Sequence, residues 1–534
     1  MSLAASSPRQ VFSILLIVIV AAAIFSTGCG SSGNMATPPP LTGSTSVTVV
    51  VSSTANDQLA EFDLGFQSIT LTSQSGQTAT LLSAPTSGPG TGAEFMHING
   101  TAEPLVNASI PQGVYTSATV ILTDGEFVCI ALGPSDGEET LSSAFYSLLP
   151  PTSADSVTLP SPITVTGTSM ALSLNLLVSQ SATIGDCVNV DGFTGFSMTP
   201  TFSLIPLTLS ASPTSAANGR VTSLDGQMAA MGTTANSFAL SVPSADGPRT
   251  LSINSDNNTV YQGIGNFSAL AVGTFVNLDG AIQLDGSVLA ARIAVEDASA
   301  ADVFRGPLLE VAPSVSIIGM HAREQQGKDF PGYVGGFGSL NFGSAIFQTS
   351  GQLTNLASLP FVPSFTASNM VPGQEVYSSI ASFSVDLPYP VATTMTLMPQ
   401  TIDGTVAGSS TSGGFTDYTV SLAPYDLFPM LAVQPGQTTV ENNPSQIEVY
   451  VDSNTQMLNT QPLSAGSTLR FYGLVFNDNG TLRMDCAQVN DGVAFTAQPS
   501  ASQQSHMEKG AVQQIRREGP GSLQQIISVS TRQP

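Results

Sequence analysis

The chain has 534 residues, of which 9% are charged and 42% apolar, and its formal charge is −24. A solvated, disordered polymer carries more charge and less Val, Ile, Leu and Phe, so this is a folding chain. A surface this acidic repels phosphate backbones, which excludes a nucleic-acid partner. Lysine is confined to Lys328 and Lys509, while β-branched residues are abundant, and the expected class is all-β.

At the N-terminus Arg9 precedes an apolar run from Val11 to Phe25, interrupted by Ser13 and followed by Ser26, Thr27, Gly28 and Cys29. At about 1.5 Å per helical residue the run reaches roughly 22 Å, short of the roughly 30 Å hydrocarbon core, so residues 1–28 read as a signal peptide rather than a span. The segment resembles the lipobox of bacterial lipoproteins, although Ser26 stands where that motif usually has Leu. The resemblance implies lipidation at Cys29, export, and anchoring to the envelope at the outer membrane or the periplasmic face. Its alternatives are a conventionally cleaved secreted protein and an uncleaved anchor. Residues 29–44, with Gly30, Ser31, Ser32, Gly33 and Pro38 to Pro40, have the composition of a flexible tether. Removing residues 1–28 takes away Arg9 and no acid, leaving the mature chain at −25.

Residues 45–210 alternate apolar and polar positions in short runs, among them Val47–Val51, Ser68–Leu71, Ala118–Leu122, Ile163–Val165 and Ala171–Leu177. Period-two alternation at this spacing predicts a β-sandwich, with a hairpin turn at Thr123-Asp124-Gly125-Glu126. In an oxidising compartment a disulfide between Cys129 and Cys187 is plausible, closing a loop worth about 4 kcal/mol; two free buried thiols are the alternative. Phe62-Asp63-Leu64-Gly65-Phe66, Ile110-Pro111-Gln112-Gly113-Val114-Tyr115-Thr116, Leu159-Pro160-Ser161-Pro162-Ile163 and Met198-Thr199-Pro200-Thr201-Phe202 occur in the order seen in the bacterial domain-of-unknown-function family 4382, which this region resembles. That family's Thr-Asp-Ala-Pro is absent, with Ser52-Ser53-Thr54-Ala55 in its place. The resemblance implies a cell-envelope β-domain and attaches no activity.

After a joint at Ser212-Pro213, residues 217–300 carry Gly219-Arg220-Val221, then Phe238–Val242, Gly273–Gly280 and Ser287–Val295. The series returns in residues 403–493 as Gly404-Thr405-Val406, Tyr418–Leu422, Gly466–Gly473 and Thr481–Val489. The paired glycines are equally spaced in both, and Val276 and Leu278 fall on Leu469 and Phe471. Residues 304–402 form a divergent copy, opening at Gly306-Pro307-Leu308 and carrying Val371-Pro372-Gly373-Gln374-Glu375-Val376 before a final strand near Met395 to Ile402. A repeated fold is the economical explanation. The outer copies resemble domain-of-unknown-function family 5666, whose mid-domain threonine falls on Thr259 and Thr455. The resemblance implies small closed barrels of the oligonucleotide- or oligosaccharide-binding type, about three in all. The polar residues 494–534 read as a disordered tail.

Chemistry is sparse. His97 in Phe95-Met96-His97-Ile98 reads as a packed strand residue, and His321 and His506 stand in unrelated segments. Gly133-Pro134-Ser135-Asp136-Gly137 matches a nucleophile-elbow string, but its composition is that of a turn. Ser255-Asp256-Asn257-Asn258 and Asp478-Asn479-Gly480 place oxygens as calcium requires, and as turns require too. Gly332–Gly338 reads as a long loop. With no Trp, sugar stacking would fall to Tyr or Phe; Tyr472 is the ligand-contact candidate and Phe471 its core-facing neighbour. No catalytic residue, metal site or cofactor is singled out. The expected role is non-enzymatic, binding or structural, with modules strung from the anchor and a polysaccharide or an envelope protein as possible partner. The alternative is a carbohydrate-active or other hydrolytic enzyme whose carboxylates meet only in the fold.

Overall fold

The computed structural model describes residues 42–491 except 55–58, 86–90, 99–100, 136–137, 149–154, 184–196, 208–218, 245–246, 329–330, 335, 352–355, 382–388, 424–425, 433–444 and 460, together with 512–515. The expected signal peptide, Cys29, residues 29–41 of the expected tether, Cys187 and His506 lie outside these residues, and Ser44, the last residue of that expected tether, opens a strand. Among the described residues no helix is long and apolar enough to cross a membrane. The fold is nearly all β, as the composition predicts.

The first module spans β1 (Ser44–Thr54), β2 (Leu59–Ser73), β3 (Thr78–Ser83), β4 (Thr91–Glu94), β5 (Glu103–Pro111), β6 (Gly113–Ser135), β7 (Glu138–Leu148), β8 (Asp155–Val157), β9 (Ile163–Val165), β10 (Ser169–Leu177), β11 (Ala182–Thr183), β12 (Ser197–Met198) and β13 (Phe202–Leu207). One sheet has the order β13-β10-β1-β5, and the other is built on β3-β2-β6-β7 with β4, β8 and β9 attached. Val47, Val49, Val51 and Leu174 of the first sheet share one buried core with Phe62, Leu64, Phe66 and Phe127 of the second. This is a two-sheet sandwich, and alternation along β1 is its cause: successive valines cannot both face one sheet. Pro111-Gln112-Gly113 links β5 to β6, held by the Tyr115 hydroxyl donating to the Pro111 carbonyl at 2.8 Å.

The expected hairpin at Thr123–Glu126 does not form. β6 runs straight through it, because β2 pairs along nearly its whole length, and the extra residue is absorbed as a bulge where Leu122 faces Phe66 and Asp124 faces Gly65. The Asp63 carboxylate then accepts from the Glu126 amide at 3.1 Å.

The second module is a closed barrel of β14 (Arg220–Met231), β15 (Ser237–Val242), β16 (Arg249–Gln262), β17 (Phe275–Ile282) and β18 (Val288–Asp297), in ring order β14-β15-β16-β18-β17. Its third and fifth strands are parallel. The third module contains β19 (Asp302–Ala312), β20 (Ile317–His321), β21 (Glu324–Gly327), β22 (Pro331–Val334), β23 (Phe337–Asn341), β24 (Ile346–Thr349), β25 (Glu375–Ile380) and β26 (Ala392–Leu397). The fourth contains β27 (Gln400–Ser412), β28 (Phe415–Leu422), β29 (Gln446–Val451), β30 (Gln456–Met457), β31 (Thr468–Asp478) and β32 (Thr481–Asp491), closed by parallel pairing of β29 with β32. It too follows the path 1-2-3-5-4.

The third module follows the same path with its third strand broken: β23 pairs with β20, and β24 pairs in parallel with β26. The Gly-rich segment expected to be a loop supplies β22 and the start of β23, the former pairing with β21 on an inserted hairpin. Gln400–Ile402 open the fourth barrel rather than closing the third. In the polar tail, β33 (Val512–Ile515) pairs with β7; the rest of the tail lies outside the described residues.

Three glycine positions explain why one path recurs. Gly226 faces Val276, Gly306 faces Val376 and Gly404 faces Leu469, so Gly226, and not Gly219, is the counterpart of Gly404. A Cβ at these sites would stand 2.6 Å from the Ser241 carbonyl oxygen, 1.8 Å from that of His321 and 2.6 Å from that of Ser421. The next residue but one (Met228, Leu308, Val406) is buried and exchanges the same two bonds in every copy. Its amide donates to the carbonyl of Thr274, Gln374 or Ser467, and its carbonyl accepts from the amide of Gly273, Gly373 or Gly466. Those three glycines have φ of +92°, +91° and +89°, a conformation that side chains disfavour.

Candidate functional site

Among the described residues most of the cations are spent inside. Six of the seven arginines among the described residues form ion pairs with carboxylates, and Arg220, Arg292, Arg305 and Arg470 are buried. Two of these pairs, Arg249–Glu103 and Arg305–Asp225, cross between modules, as do the contacts of His97 with Glu324 and of His321 with Glu61. The modules are therefore not beads on a string: they are joined through buried seams. Leu309 of the third module packs with Ala60, Val128 and Ile130 of the sandwich and with Leu427 and Leu431 of the helix Leu427–Ala432.

The charge cluster centres on His97. Its segment is a buried turn after β4 and not a strand; the Glu94 carboxylate accepts from the amides of Phe62, Met96 and His97 and so pins the turn. The ring Nδ1–H donates to Glu94 Oε2 at 3.0 Å, the Nε2–H donates to Glu103 Oε1 at 2.6 Å, and Glu324 Oε1 of the third module lies 3.4 Å from Nδ1. Burial alone would discharge the imidazole, but the charges of Glu103 and Glu324 and the bonds to Glu103 and Glu94 outweigh it and raise its pKa well above the ordinary value. Burial pushes Glu94 and Glu103 up as well; His97 overrides it and both end lowered. For Glu324 burial wins, aided by Asp225 and Glu103 against His97 and Arg305, and its pKa rises to about 7.

Around this core the Arg249 guanidinium of the second module donates to Glu103 at 2.6 Å. Arg305 of the third donates to Asp225 and to the Ser223 carbonyl of the second, and lies 3.4 Å from Glu375. Arg323 donates to Glu375 at 3.1 Å and to the Ala60 carbonyl of the sandwich. Beside it, Glu61 and His321 meet at 2.7 Å across the sandwich seam. Burial and the charges of Glu126 and Glu94 raise Glu61, while burial and Arg323 bring His321 down to about 3. This is a neutral pair, with a protonated acid donating to an imidazole nitrogen. At the second-to-third seam Glu296 is driven by burial and by Asp225 to about 8.

Where the sandwich, third and fourth modules meet there is a cavity of about 50 Å³, walled by His97, Arg305, Arg323, Glu375, Asp426 and Tyr472. That is room for a few water molecules. Tyr472, the expected ligand contact, is 8% exposed and forms part of this wall; burial and Asp279 raise its hydroxyl. Phe471 is in the fourth barrel's core, as expected.

The second module, residues 218–294, matches the model of the family described as Domain of unknown function (DUF5666). The match covers the first of the two closed barrels and agrees with the resemblance drawn from Thr259 and the glycine pattern. A comparison with curated proteins finds no match.

Other expected sites resolve into local structure. Asp256 and Asp452 each accept from the amide two residues on (Asn258, Asn454), and the following Thr259 and Thr455 donate at 2.7 Å to the carbonyls of Ala290 and Cys486. These are turns that tie the third strand to the fifth. Asn479 and Gly480, at φ +52° and +86°, make a two-residue hairpin turn. Ser135 closes β6 opposite Glu138 of β7. Among the described residues no group of three or more His, Cys, Asp or Glu has a metal-holding arrangement. Cys129 is disulfide-bonded, and Cys486 is free and buried; Cys187, the expected partner of Cys129, lies outside the described residues.

The His97 and Arg305 clusters escaped the sequence reading because their members are scattered from Glu61 to Glu375. A signal was present: Arg292 in Ala-Ala-Arg-Ile-Ala-Val and Arg305 in Val-Phe-Arg-Gly interrupt apolar strands, and a buried cation demands a carboxylate.

Proposed function

We propose that the chain is an exported protein held at the bacterial envelope by a lipid on Cys29, with a sandwich of the domain-of-unknown-function 4382 type, and that its role is structural or binding rather than catalytic. The observation that carries the reading is the use of the ionisable groups. Glu61, Asp63, Glu296 and Glu324, whose pKa values are raised, are all buried, and Glu61, Glu296 and Glu324 sit at seams between modules, where they do not flank an open cleft. Such groups make one scaffold of four modules, and a scaffold on a Gly/Ser/Pro tether suits contact with a polysaccharide or an envelope protein. Two readouts test it. Mass spectrometry of the mature N-terminus should find a lipidated Cys29, and Cys29→Ala should move the protein from the membrane fraction to the soluble one; an unmodified Cys29 or a cut elsewhere sinks the anchor. Incubation with envelope polysaccharides should give retention without cleavage. Release of reducing ends, lost in Glu324→Gln or Glu375→Gln, would replace this reading with the hydrolytic one.

A further inference from the structure

We propose that the His97 junction is a proton-dependent latch: a charged imidazole clasped by Glu94 and Glu103 of the sandwich and Glu324 of the third module closes the seam between them, and loss of that proton loosens the seam and opens the cavity that His97 walls.

The geometry carries the argument. His97 sits in the turn between β4 and β5, so its ring is fixed by the sandwich alone, while Glu324 belongs to β21 on the inserted hairpin. The groups facing the ring come from every module packed there. The sandwich supplies Glu94 and Glu103, with Glu61 behind Glu94; the second module supplies Arg249, on Glu103, and Asp225; the third supplies Glu324, Arg305, Arg323 and Glu375; the fourth supplies Tyr472 and Asp426 on the cavity wall. With the ring charged, its two N–H groups and the three arginines answer the carboxylates. With the ring neutral, one nitrogen loses its hydrogen and must face a carboxylate lone pair to lone pair at 2.6–3.0 Å.

The direction follows from the pKa values. A histidine whose folded pKa exceeds its unfolded one stabilises fully below about pH 6.5, and the gain is lost as pH rises through the folded value. Glu324, raised to about 7, works in the same sense, because the folded seam keeps a proton that the released chain gives up above its ordinary value. Among the described residues other protons are held in this window too, since burial and Asp225 raise Glu296 to about 8 and burial raises Glu61 and Asp63. These persist in a His97 variant, whereas ordinary carboxylates are already ionised at pH 6 and the Cys486 thiol is pushed upward by burial.

The test is hydrogen exchange, followed by mass spectrometry on the whole mature protein at pH 6, 7.5 and 9 and corrected for intrinsic rates. Peptides covering residues 91–103 and 317–327 should exchange at least about tenfold faster at pH 9 than at pH 6, the factor that one pKa unit represents. Peptides from β31 and β32 should not follow. His97→Gln should accelerate clearly less between pH 6 and pH 9 than the wild type, keeping only the part that Glu324 and the other raised carboxylates contribute, and Glu324→Gln, which cannot ionise, should also show a smaller response than the wild type. Equal acceleration across all modules, or a His97→Gln profile as steep as the wild type's, overturns the latch. If His97→Gln does not fold, imidazole Cε1 resonances decide on the wild type, which has only three histidines: the His97 resonance, told from that of His506 by His506→Gln, titrates above neutrality, and a His97 resonance that titrates near 6.5 refutes the latch.

Discussion

Gly226, Gly306 and Gly404 show how much a single missing Cβ can determine. Each lets the second strand of its barrel pass within contact of the first, and a methyl group there would overlap a backbone oxygen that cannot swing aside. Gly306→Ala should therefore lower stability by more than about 2 kcal/mol, as measured by urea unfolding. Gly408→Ala in β27, where nothing lies within 4 Å of the added carbon, should change it by less than about 0.5 kcal/mol. Equal effects would show that glycine acts through chain entropy rather than space. At this scale the sequence was partly legible. The paired glycines Gly273 and Gly466 are visible by spacing, whereas the sequence pattern aligns Gly219 with Gly404 where Gly226 belongs, because strand register is a property of pairing and not of one segment. The apolar neighbours of His97 predict a packed strand residue, because its carboxylate partners come from separate segments.

At the scale of elements, the closed barrels depend on a parallel contact between their third and fifth strands, which cannot be made by a hairpin and which a side-chain tie reinforces in each. Thr259 and Thr455 are that tie, each buried and each donating to a carbonyl of the fifth strand. Thr455→Val keeps the shape and strands the Cys486 carbonyl, so it should cost about 1–3 kcal/mol in thermal or urea unfolding, while Thr455→Ser should restore most of it. A valine variant as stable as the wild type would make the tie incidental. The threonines and the Asn479-Gly480 turn were readable because turn chemistry is local. The hairpin expected at Thr123–Glu126 failed because Asp-Gly alone does not outweigh the long antiparallel partner that β2 offers to β6.

For the whole molecule the decisive quantity is proton balance. Between pH 6 and pH 9 the folded chain holds protons that the unfolded chain releases, on His97, on Glu324 with its pKa about 7 and on Glu296 with its pKa about 8. Stability must therefore fall as pH rises through this range. His321 opposes the trend only on the acid side: its folded pKa of about 3 makes the native state lose ground as pH drops below 6.5. Urea unfolding should give a maximum near pH 6 and a loss of at least about 2 kcal/mol by pH 9, and Glu296→Gln should flatten the alkaline limb. A stability that rises toward pH 9 would contradict the buried carboxylates. The sequence by itself determined the all-β class, the sandwich and the repeated barrels, because alternation and turn residues act over neighbouring positions. Only the tertiary structure decided where the charges go: Glu61 meets His321 across 260 residues and Asp225 meets Arg305 across 80, and no local pattern specifies which buried carboxylate will find which cation.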